Sequence, residues 1–240
     1  MLTIVYWLWK DDRLLLHKDG PRPRVYLAEH VNAQLPMLRK YMVGSYRVVC
    51  VTDDPTGLDP SIEVVPMPCG DLDYIDGQVR FPSCTRKLWM FSKEAARVIG
   101  GRVLCLDVDG VIVGSMQRIV DRSDTFVGLE DGNGGFGGGA YLLDTGALTT
   151  VWELLPSPQD LKERGIPRTD QGWMTHILKE TGFPKFGNEV MIARTNRPLP
   201  PDASVVMIAT AQKPWMPECL EYYPWVADRY PVREASCPST

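Results

Sequence analysis

Residues 101–114 read GRVLCLDVDGVIVG and place two acidic residues inside an apolar run. Val103–Leu106 and Val111–Val113 are short and rich in β-branched residues, a pattern typical of a strand that is buried on both faces. Residues two apart on a strand point to the same side, so Asp107 and Asp109 would project together wherever the backbone stays extended. Two neighbouring carboxylates repel each other, and a divalent cation or a basic partner would keep both ionised.

A second interpretation of this stretch is a strand that ends at Leu106. The two aspartates would then lie in the following turn and accept hydrogen bonds from backbone N–H groups. The D-x-D pattern alone does not decide between a metal site and a turn, so the rest of the chain has to be considered.

The bulk properties of the chain are those of a globular protein. It has 240 residues, of which 44% are hydrophobic and 23% charged, enough for one large domain with a substantial core. The net charge of −4 provides no general attraction to nucleic acid or anionic membranes. No apolar run approaches the roughly 20 residues that span a membrane, and the first residues lack a basic leader and a cleavage site. We therefore expect a cytoplasmic protein without a membrane span.

The six cysteines include no C-x-x-C pair. Cys50 and Cys105 lie inside apolar, strand-like runs. This distribution favours buried free thiols over a disulfide framework or a zinc site.

Predicted strands alternate with predicted helices along the chain. The strands are Thr3–Trp9, Val48–Val51, Ile62–Pro66, the stretch around Asp107, Phe126–Leu129, Ala140–Leu143 and Val205–Ile208, and the helices are Val25–Tyr41 with a break at Pro36, Thr85–Val98, Leu148–Leu155 and Asp170–Leu178. This order predicts an α/β fold with a mostly parallel central sheet flanked by helices. Without a linker or repeat, we expect a single domain over residues 1–240, with an aromatic tail from about residue 213 to 240 packed on it.

Polar residues follow the first two predicted strands. A parallel sheet binds its ligands at the carboxyl ends of its strands, so Trp9, Lys10 and Arg13 are candidates to contact a base or a phosphate. Trp9 could equally pack in the core. Asp53 and Asp54 follow the second strand, where they would either cap a turn or bind a ribose or base edge.

Three further features allow either a structural or a functional interpretation. Arg86 and Lys87 lie in the first turn of a predicted helix, which suits a nearby anion but also a solvated surface pair. The segment 131–139 contains six glycines, which would permit a close backbone approach or a mobile flap, and its spacing fits neither a dinucleotide-binding nor a P-loop motif. Asp170 would cap a helix or hold an acceptor hydroxyl at a pocket rim.

Several of these motifs occur in a characteristic order. They are V-T-D-D at 51–54, R-K-L-W-M-F-S at 86–92, L-D-V-D-G-V-I-V-G at 106–114, T-D-Q-G-W at 169–173 and K-P-W at 213–215, after an aromatic first strand. The set resembles the GT-A glycosyltransferases, in particular the glycogenin and LgtC-like group and its small bacterial and bacteriophage members. The resemblance covers most of the chain and implies a single Rossmann-like GT-A domain.

The resemblance implies a donor site with a metal ion. Asp107 and Asp109 match the D-x-D that holds a divalent metal, usually Mn²⁺ and otherwise Mg²⁺, on the diphosphate of a nucleotide sugar, most often a UDP-sugar. Lys87 matches a helix lysine that faces the donor. Lys213 resembles the basic residue that closes on the phosphates.

The resemblance also assigns the ends of the site. The positions near Trp9 and Asp53 resemble the nucleoside end of the donor site, and Arg13 is a further donor-binding candidate. Asp170 and Gln171 resemble the catalytic Asp-Gln pair beside the sugar and the acceptor.

Two departures from the family pattern concern the metal and the acceptor. Relatives carry a histidine before K-P-W as a third protein ligand to the metal, and this chain has none there, with Met207 or Ala209 in its place. Relatives also carry an Asn-Ser-type motif where this chain has 137–139 as glycines. His17, His30 and His176 lie elsewhere and are interpreted as surface or structural residues.

The resemblance therefore implies a metal-dependent, retaining glycosyltransferase that moves a sugar to an acceptor hydroxyl. The acceptor would be a carbohydrate, a protein or, as in phage relatives, a hydroxymethylated DNA base. In the last case the location would be the host cytoplasm, and phosphate contacts would come from Arg22, Arg24, Arg39 and Lys40. Two alternatives remain at this point: a non-catalytic nucleotide-sugar-binding module, and a haloacid-dehalogenase-type phosphatase, whose motif D-x-D-G-V also fits residues 107–111.

Overall fold

A computed structural model describes residues 1–9, 16–17, 20–21, 26–68, 84–193, 198–208 and 213–231. Its strands are β1 Leu2–Leu8, β2 Leu16–His17, β3 Gly20–Pro21, β4 Tyr46–Thr52, β5 Glu63–Pro66, β6 Arg102–Leu106, β7 Gly110–Ile112, β8 Phe126–Glu130, β9 Phe136–Asp144, β10 Val190–Ile192 and β11 Val205–Met207. Its α-helices are α1 Ala28–Asn32, α2 Gln34–Tyr41, α3 Lys93–Val98, α4 Gln117–Val120, α5 Thr150–Glu153, α6 Pro158–Glu163, α7 Asp170–Ile177 and α8 Cys219–Tyr222, and 3₁₀ helices span Cys84–Phe91 and Pro224–Asp228.

A six-stranded sheet in the order β5-β4-β1-β6-β9-β8 forms the centre of the fold. β5, β4, β1 and β6 run parallel, whereas β9 is antiparallel to both β6 and β8. The predicted α/β class with a mostly parallel sheet is therefore confirmed. Because β1, β4 and β6 are parallel neighbours, the residues that follow them emerge at the same edge of the sheet.

The sheet is covered on both faces, as the continuous apolar sequence of its first strand predicted. Ile4 and Tyr6 of β1 pack in one hydrophobic cluster, and Val5 and Trp7 pack in the cluster on the opposite face. Trp7 contacts Trp89 edge to face, with 6.3 Å between ring centroids. Alternate residues of a strand point to opposite faces, so a strand that is apolar at every position fits the centre of this three-layer arrangement.

The stretch around the two aspartates forms two strands in two sheets, not one extended strand. β6 ends at Leu106, and a turn follows in which the Gly110 N–H donates to the Asp107 carbonyl at 3.0 Å. β7 then joins a separate sheet in the order β10-β11-β7. The extended-strand prediction was wrong because Val111 and Ile112 have their own partners on β11. The turn interpretation describes the backbone correctly.

Both long predicted helices are interrupted. The segment 85–98 is a 3₁₀ helix to Phe91 followed by α3, which begins after Ser92, whose hydroxyl accepts the Ala95 N–H at 3.0 Å. Serine is a preferred N-cap residue, which explains the break. The segment 25–41 breaks at Ala33 instead of Pro36. Pro36 is tolerated because it lies in the first turn of α2, where its missing N–H is not required.

The glycine-rich segment forms a hairpin turn that is held by side-chain hydrogen bonds and leads into β9. Asp131 Oδ1 accepts the N–H groups of Asn133 and Gly135 at 2.7 and 3.0 Å. Thr175 Oγ1 on α7 accepts the Phe136 N–H at 2.9 Å. The last three glycines belong to β9, so of the two interpretations the structure favours a close backbone approach over a flap.

Other sequence predictions concern thiols and the membrane. Cys50, Cys105 and Cys219 are buried cysteines that form no disulfide among the described residues, whereas Cys69 and Cys237 lie outside those residues. Within the described ranges, no helix has both the length and the apolar character needed to cross a bilayer.

Candidate active site

The candidate site lies where β1, β4 and β6 reach the same edge of the sheet. Trp9, Asp53 and Asp107 each come immediately after the last residue of one of these strands. Asp53 is exposed, and Trp9 and Asp107 are partly buried. Arg13, also predicted for the donor end, lies outside the described residues, as does Lys10.

Lys87 forms the centre of the first ionic cluster. Its Nζ lies 2.9 Å from Asp107 Oδ1 and 3.1 Å from both Asp170 Oδ2 and the Gly138 carbonyl oxygen. The three acceptors match the three donors of an ammonium group. Lys87 is only 5% exposed and Arg86 7%, so the alternative of a solvated surface pair was wrong.

The charges in this cluster shift one another's titration. Burial lowers the pKa of Lys87, but the carboxylates of Asp107 and Asp170 outweigh it and raise that pKa well above its ordinary value. Desolvation by the surrounding protein raises the pKa of Asp107, and Asp109 adds to the rise while Lys87 opposes it. Burial also raises the pKa of Cys84, at the start of the 3₁₀ helix, to about 12. That thiol is therefore protonated at neutral pH and is a poor nucleophile.

Asp170 is the first residue of α7, not its cap. Thr169 caps the helix, since its hydroxyl accepts the Gly172 N–H at 3.0 Å, and this leaves the Asp170 carboxylate to bind Lys87. A Cβ at Gly138 would lie 2.6 Å from Asp170 Oδ2 and 2.9 Å from Gln171 Cγ. The absence of a side chain at Gly138 therefore allows α7 and β9 to approach closely, and it places Gln171 beside the cluster.

A second ionic cluster surrounds Asp109. Asp109 Oδ2 accepts hydrogen bonds from Lys213 Nζ at 2.6 Å and from the Tyr26 hydroxyl at 3.2 Å. The Lys213 ammonium also lies 5.7 Å from the centroid of the Tyr26 ring. Each aspartate of the D-x-D thus has its own lysine, one from the 3₁₀ helix and one from the K-P-W segment.

Aromatic packing fixes the K-P-W segment against α1. Trp215 is fully buried and stacks on His30 with 3.7 Å between ring centroids, and Tyr26 meets it edge to face at 5.8 Å. The His30 Nδ1 accepts the Leu27 N–H at 3.0 Å. Burial lowers the pKa of His30 from 6.5 to about 4, so this imidazole is neutral at physiological pH.

Trp9 and Arg86 form a pair at the other end of the site. The guanidinium carbon of Arg86 lies 4.8 Å from the Trp9 ring centroid. Such a contact is a cation–π interaction. Trp9 is partly buried and packs at the edge of the hydrophobic cluster that contains Trp7, and Arg86 is also buried, so the pair lies mostly within the protein beside Lys87 in the sequence.

The carboxylates of Asp107 and Asp109 have the chemistry needed to hold a divalent metal ion. Among the described residues, Asp107 Oδ2 and Asp109 Oδ1 have no hydrogen-bond partner, and carboxylate oxygens are preferred ligands of Mg²⁺ and Mn²⁺. The same part of the chain contains no group of three or more His, Cys, Asp or Glu side chains placed for a metal. Asp107 and Asp109 would supply two carboxylate ligands to such an ion.

Met207 lies beside these carboxylates. A Cβ at Gly110 would lie 3.0 Å from Met207 Sδ, and one at Gly139 would lie 3.0 Å from Met207 Cε and 3.8 Å from Asp107 Oδ2. Its thioether is a soft ligand and does not suit Mn²⁺ or Mg²⁺. Ala209, the other residue considered for the third-ligand position, lies outside the described residues.

Five of the predicted site residues take part in ion pairs, in two clusters. Lys87 pairs with Asp107 and Asp170, and Lys213 pairs with Asp109. The sequence motifs did not identify Tyr26 or the carbonyl of Gly138. No local pattern marks Tyr26, because its role depends on contacts with two distant segments, the turn that contains Asp109 and the K-P-W segment. The glycine-rich composition was the available signal for Gly138.

Comparison with known proteins supports the fold. No family model matches this chain, and no curated protein is similar to it in sequence. A crystal structure of the galactosyltransferase LgtC in complex with donor and acceptor sugar analogs is similar over 97% of this chain and 98% of LgtC, with a TM-score of 0.62 and 11% identity. An active-site glutamine-to-glutamate mutant of LgtC gives a TM-score of 0.60 at 12% identity, covering 97% of this chain and 98% of that one.

The glycosyltransferase GlyE of Streptococcus pneumoniae TIGR4 is similar over 98% of this chain and 67% of its own, with a TM-score of 0.57 and 11% identity. At such identities the likeness establishes the fold, which is the Rossmann-like glycosyltransferase fold predicted from the sequence.

Proposed function

We propose that this chain is a glycosyltransferase that moves a sugar from a nucleotide-sugar donor to an acceptor hydroxyl. The observation that carries the proposal is the pair of lysine–aspartate clusters at the carboxyl edge of a glycosyltransferase-like sheet. This edge is the usual ligand site of open α/β sheets. Two ammonium groups at such an edge suit a leaving group that gains negative charge as the glycosidic bond breaks.

We assign the parts of the donor to residues as follows. Trp9 and Asp53, and Arg13 from the sequence motif, would bind the nucleoside end, with UDP as the expected nucleotide. Lys87 and Lys213 would bind the diphosphate.

Asp107 and Asp109 would hold Mn²⁺ or Mg²⁺ together with the diphosphate. When bound, such an ion supplies Lewis-acid stabilisation of the leaving nucleoside diphosphate. Asp107 and Asp109 each retain one carboxylate oxygen without a partner among the described residues, which is consistent with this assignment.

Asp170 and Gln171 would lie beside the transferred sugar and the acceptor. Asp170 orients the Lys87 ammonium, and Gln171 lies next to Gly138 on the same side of the cluster. We propose retention of the anomeric configuration and a carbohydrate or protein acceptor. The net charge of −4 disfavours a DNA acceptor, and a cytoplasmic location stays a prediction.

The test measures hydrolysis of a panel of nucleotide sugars with and without Mn²⁺, in the wild type and in Asp109→Asn. We expect metal-dependent release of the nucleoside diphosphate and a loss of about a hundredfold or more in the variant. Asp144→Asn is the matched control, because Asp144 pairs with Arg102 at the opposite edge of the sheet and should retain activity.

Three outcomes would favour other functions. Donor binding without turnover, for any acceptor, would indicate a nucleotide-sugar-binding module. Hydrolysis of phosphate monoesters that is blocked by beryllofluoride would indicate the phosphatase. Binding to duplex DNA that weakens steeply with salt would support a modified-base acceptor.

A further inference from the structure

We propose that Lys213 competes with the divalent cation for Asp109, and that a nucleoside diphosphate relieves this competition by drawing the lysine to its own phosphates. The inference rests on the proposed function, since it concerns the regulation of the same site. Its consequence is that the metal and the nucleotide bind synergistically, while the metal alone binds weakly.

The first step of the argument is the occupation of Asp109. Its Oδ2 already accepts two hydrogen bonds, from Lys213 at 2.6 Å and from Tyr26 at 3.2 Å. A short contact between an ammonium and a carboxylate of which only 10% is exposed neutralises the charge that would attract a metal ion. In the absence of a nucleotide, Lys213 therefore serves as the cation of this carboxylate.

The second step is the difference between the two lysines. Lys87 is held by three acceptors, two of them acidic, and its side chain is 7% exposed. Lys213 has Asp109 as its acidic partner among the described residues, and its side chain is 14% exposed. Lys213 is thus the cation that can leave its partner at the lower cost, through rotation of a flexible four-carbon side chain.

The third step is the exchange that a diphosphate permits. When phosphates bind at this edge, the Lys213 ammonium can replace one anionic partner with another, so its charge is never left unpaired. Lys213 then no longer neutralises the Asp109 carboxylate, which would bind a metal ion more strongly. Because such coupling is reciprocal, the nucleotide must strengthen metal binding by the same factor as the metal strengthens nucleotide binding.

The experiment measures the dissociation constant of Mn²⁺ by electron paramagnetic resonance, without and with saturating UDP. Wild type is compared with Lys213→Met, and Lys213→Gln serves as a second variant if methionine disturbs folding. Without UDP, we expect the variants to bind Mn²⁺ about tenfold more tightly, since a charge-assisted hydrogen bond no longer opposes the metal. With UDP this gain should disappear. The ratio of the Mn²⁺ dissociation constant without UDP to that with UDP should therefore be about tenfold smaller in the variants than in the wild type.

This ratio distinguishes competition from simple charge repulsion. If Lys213 only repelled the metal at a distance, the variants would bind Mn²⁺ more tightly in both states and the ratio would stay unchanged, which would overturn the proposal. Lys93→Met is the matched control, because it removes an exposed ammonium that pairs with Glu153, and it should leave both constants unchanged.

Failure of this inference and failure of the proposed function give different results. If UDP binds with Mn²⁺ but the variants show the wild-type constants, the competition is wrong and the function stands. If no nucleotide binds, the proposed function fails. The comparison of Mn²⁺ binding without nucleotide then still decides whether Lys213 opposes metal binding at Asp109, because unchanged dissociation constants in the variants would refute that competition.

Discussion

Acidification should destabilise the protein through His30. Its imidazole is fully buried, and its pKa falls from 6.5 to about 4 because burial disfavours the charged form. The folded pKa lies below the unfolded one, so the unfolded chain takes up the proton first and stability falls as the pH drops below about 6.5. The linkage relation gives a loss of about 2 kcal/mol between pH 7 and pH 5 and about 3 kcal/mol below pH 4.

Glu29 does not remove this effect. Its Oε1 lies 3.8 Å from His30 Nε2, but 54% of its side chain is exposed, so solvent screens the attraction. For a chain of this size, a loss of about 2 kcal/mol corresponds to a fall in Tm of roughly 4–8 °C.

The assay is urea unfolding at several values between pH 7 and pH 5. Other groups also titrate in this range, so the relevant quantity is the difference in slope between wild type and His30→Asn, which cannot take up this proton. The asparagine variant should be less stable at pH 7, because it loses the stack on Trp215, but its stability should change less with pH. His176→Asn, at an exposed position, controls for the loss of one imidazole. Equal slopes in wild type and His30→Asn would refute the reasoning.

Two further predictions concern the Lys87 cluster. Gly138→Ala should lower donor turnover about a hundredfold, because its Cβ would lie 2.6 Å from Asp170 Oδ2 and displace that carboxylate. Gly137→Ala should have a much smaller effect, since the nearest atom to its Cβ would be 3.3 Å away. Equal losses of turnover in the two variants would contradict the explanation by close approach. Lys87→Met should reduce the free energy of unfolding by about 3–5 kcal/mol, since it leaves a buried carboxylate without its cation. Removing the exposed Lys185 ammonium should cost less than about 1 kcal/mol, and similar losses in urea unfolding would count against a buried cluster.

The central sheet could be predicted because its strands carry their own signal. A run such as 3–8, apolar at nearly every position, fits a strand covered on both faces, and the structure places β1 between two hydrophobic clusters. A similar apolar pattern at residues 103–113 led to the wrong prediction of one extended strand, because its two apolar runs belong to different sheets. β7 pairs with β11, and no feature within residues 101–114 identifies a partner so far along the chain.

The candidate site was predicted as a set of residues but not as a set of contacts. The motifs named Lys87, Asp107, Asp109 and Lys213 through resemblance to a family. Which lysine binds which aspartate depends on the register of the sheet and on the packing of Trp215, and both are properties of the folded chain. For Asp170, an error of one residue in the predicted helix start changes the role of the side chain. Because Thr169 is the N-cap and Asp170 the first helical residue, the Asp170 carboxylate is available to bind Lys87.

The D-x-D lies in the turn that connects two sheets, and this position has a consequence for synthesis on the ribosome. Asp107 follows β6, which pairs with β1, so its surroundings can assemble while the nascent chain is still growing. Asp109 precedes β7, whose partner β11 emerges much later, and Lys213 emerges later still. A chain stalled before residue 213 would therefore hold an acidic pair with only one of its two lysines, and it would form the contact between Lys213 and Asp109 only when the K-P-W segment leaves the exit tunnel.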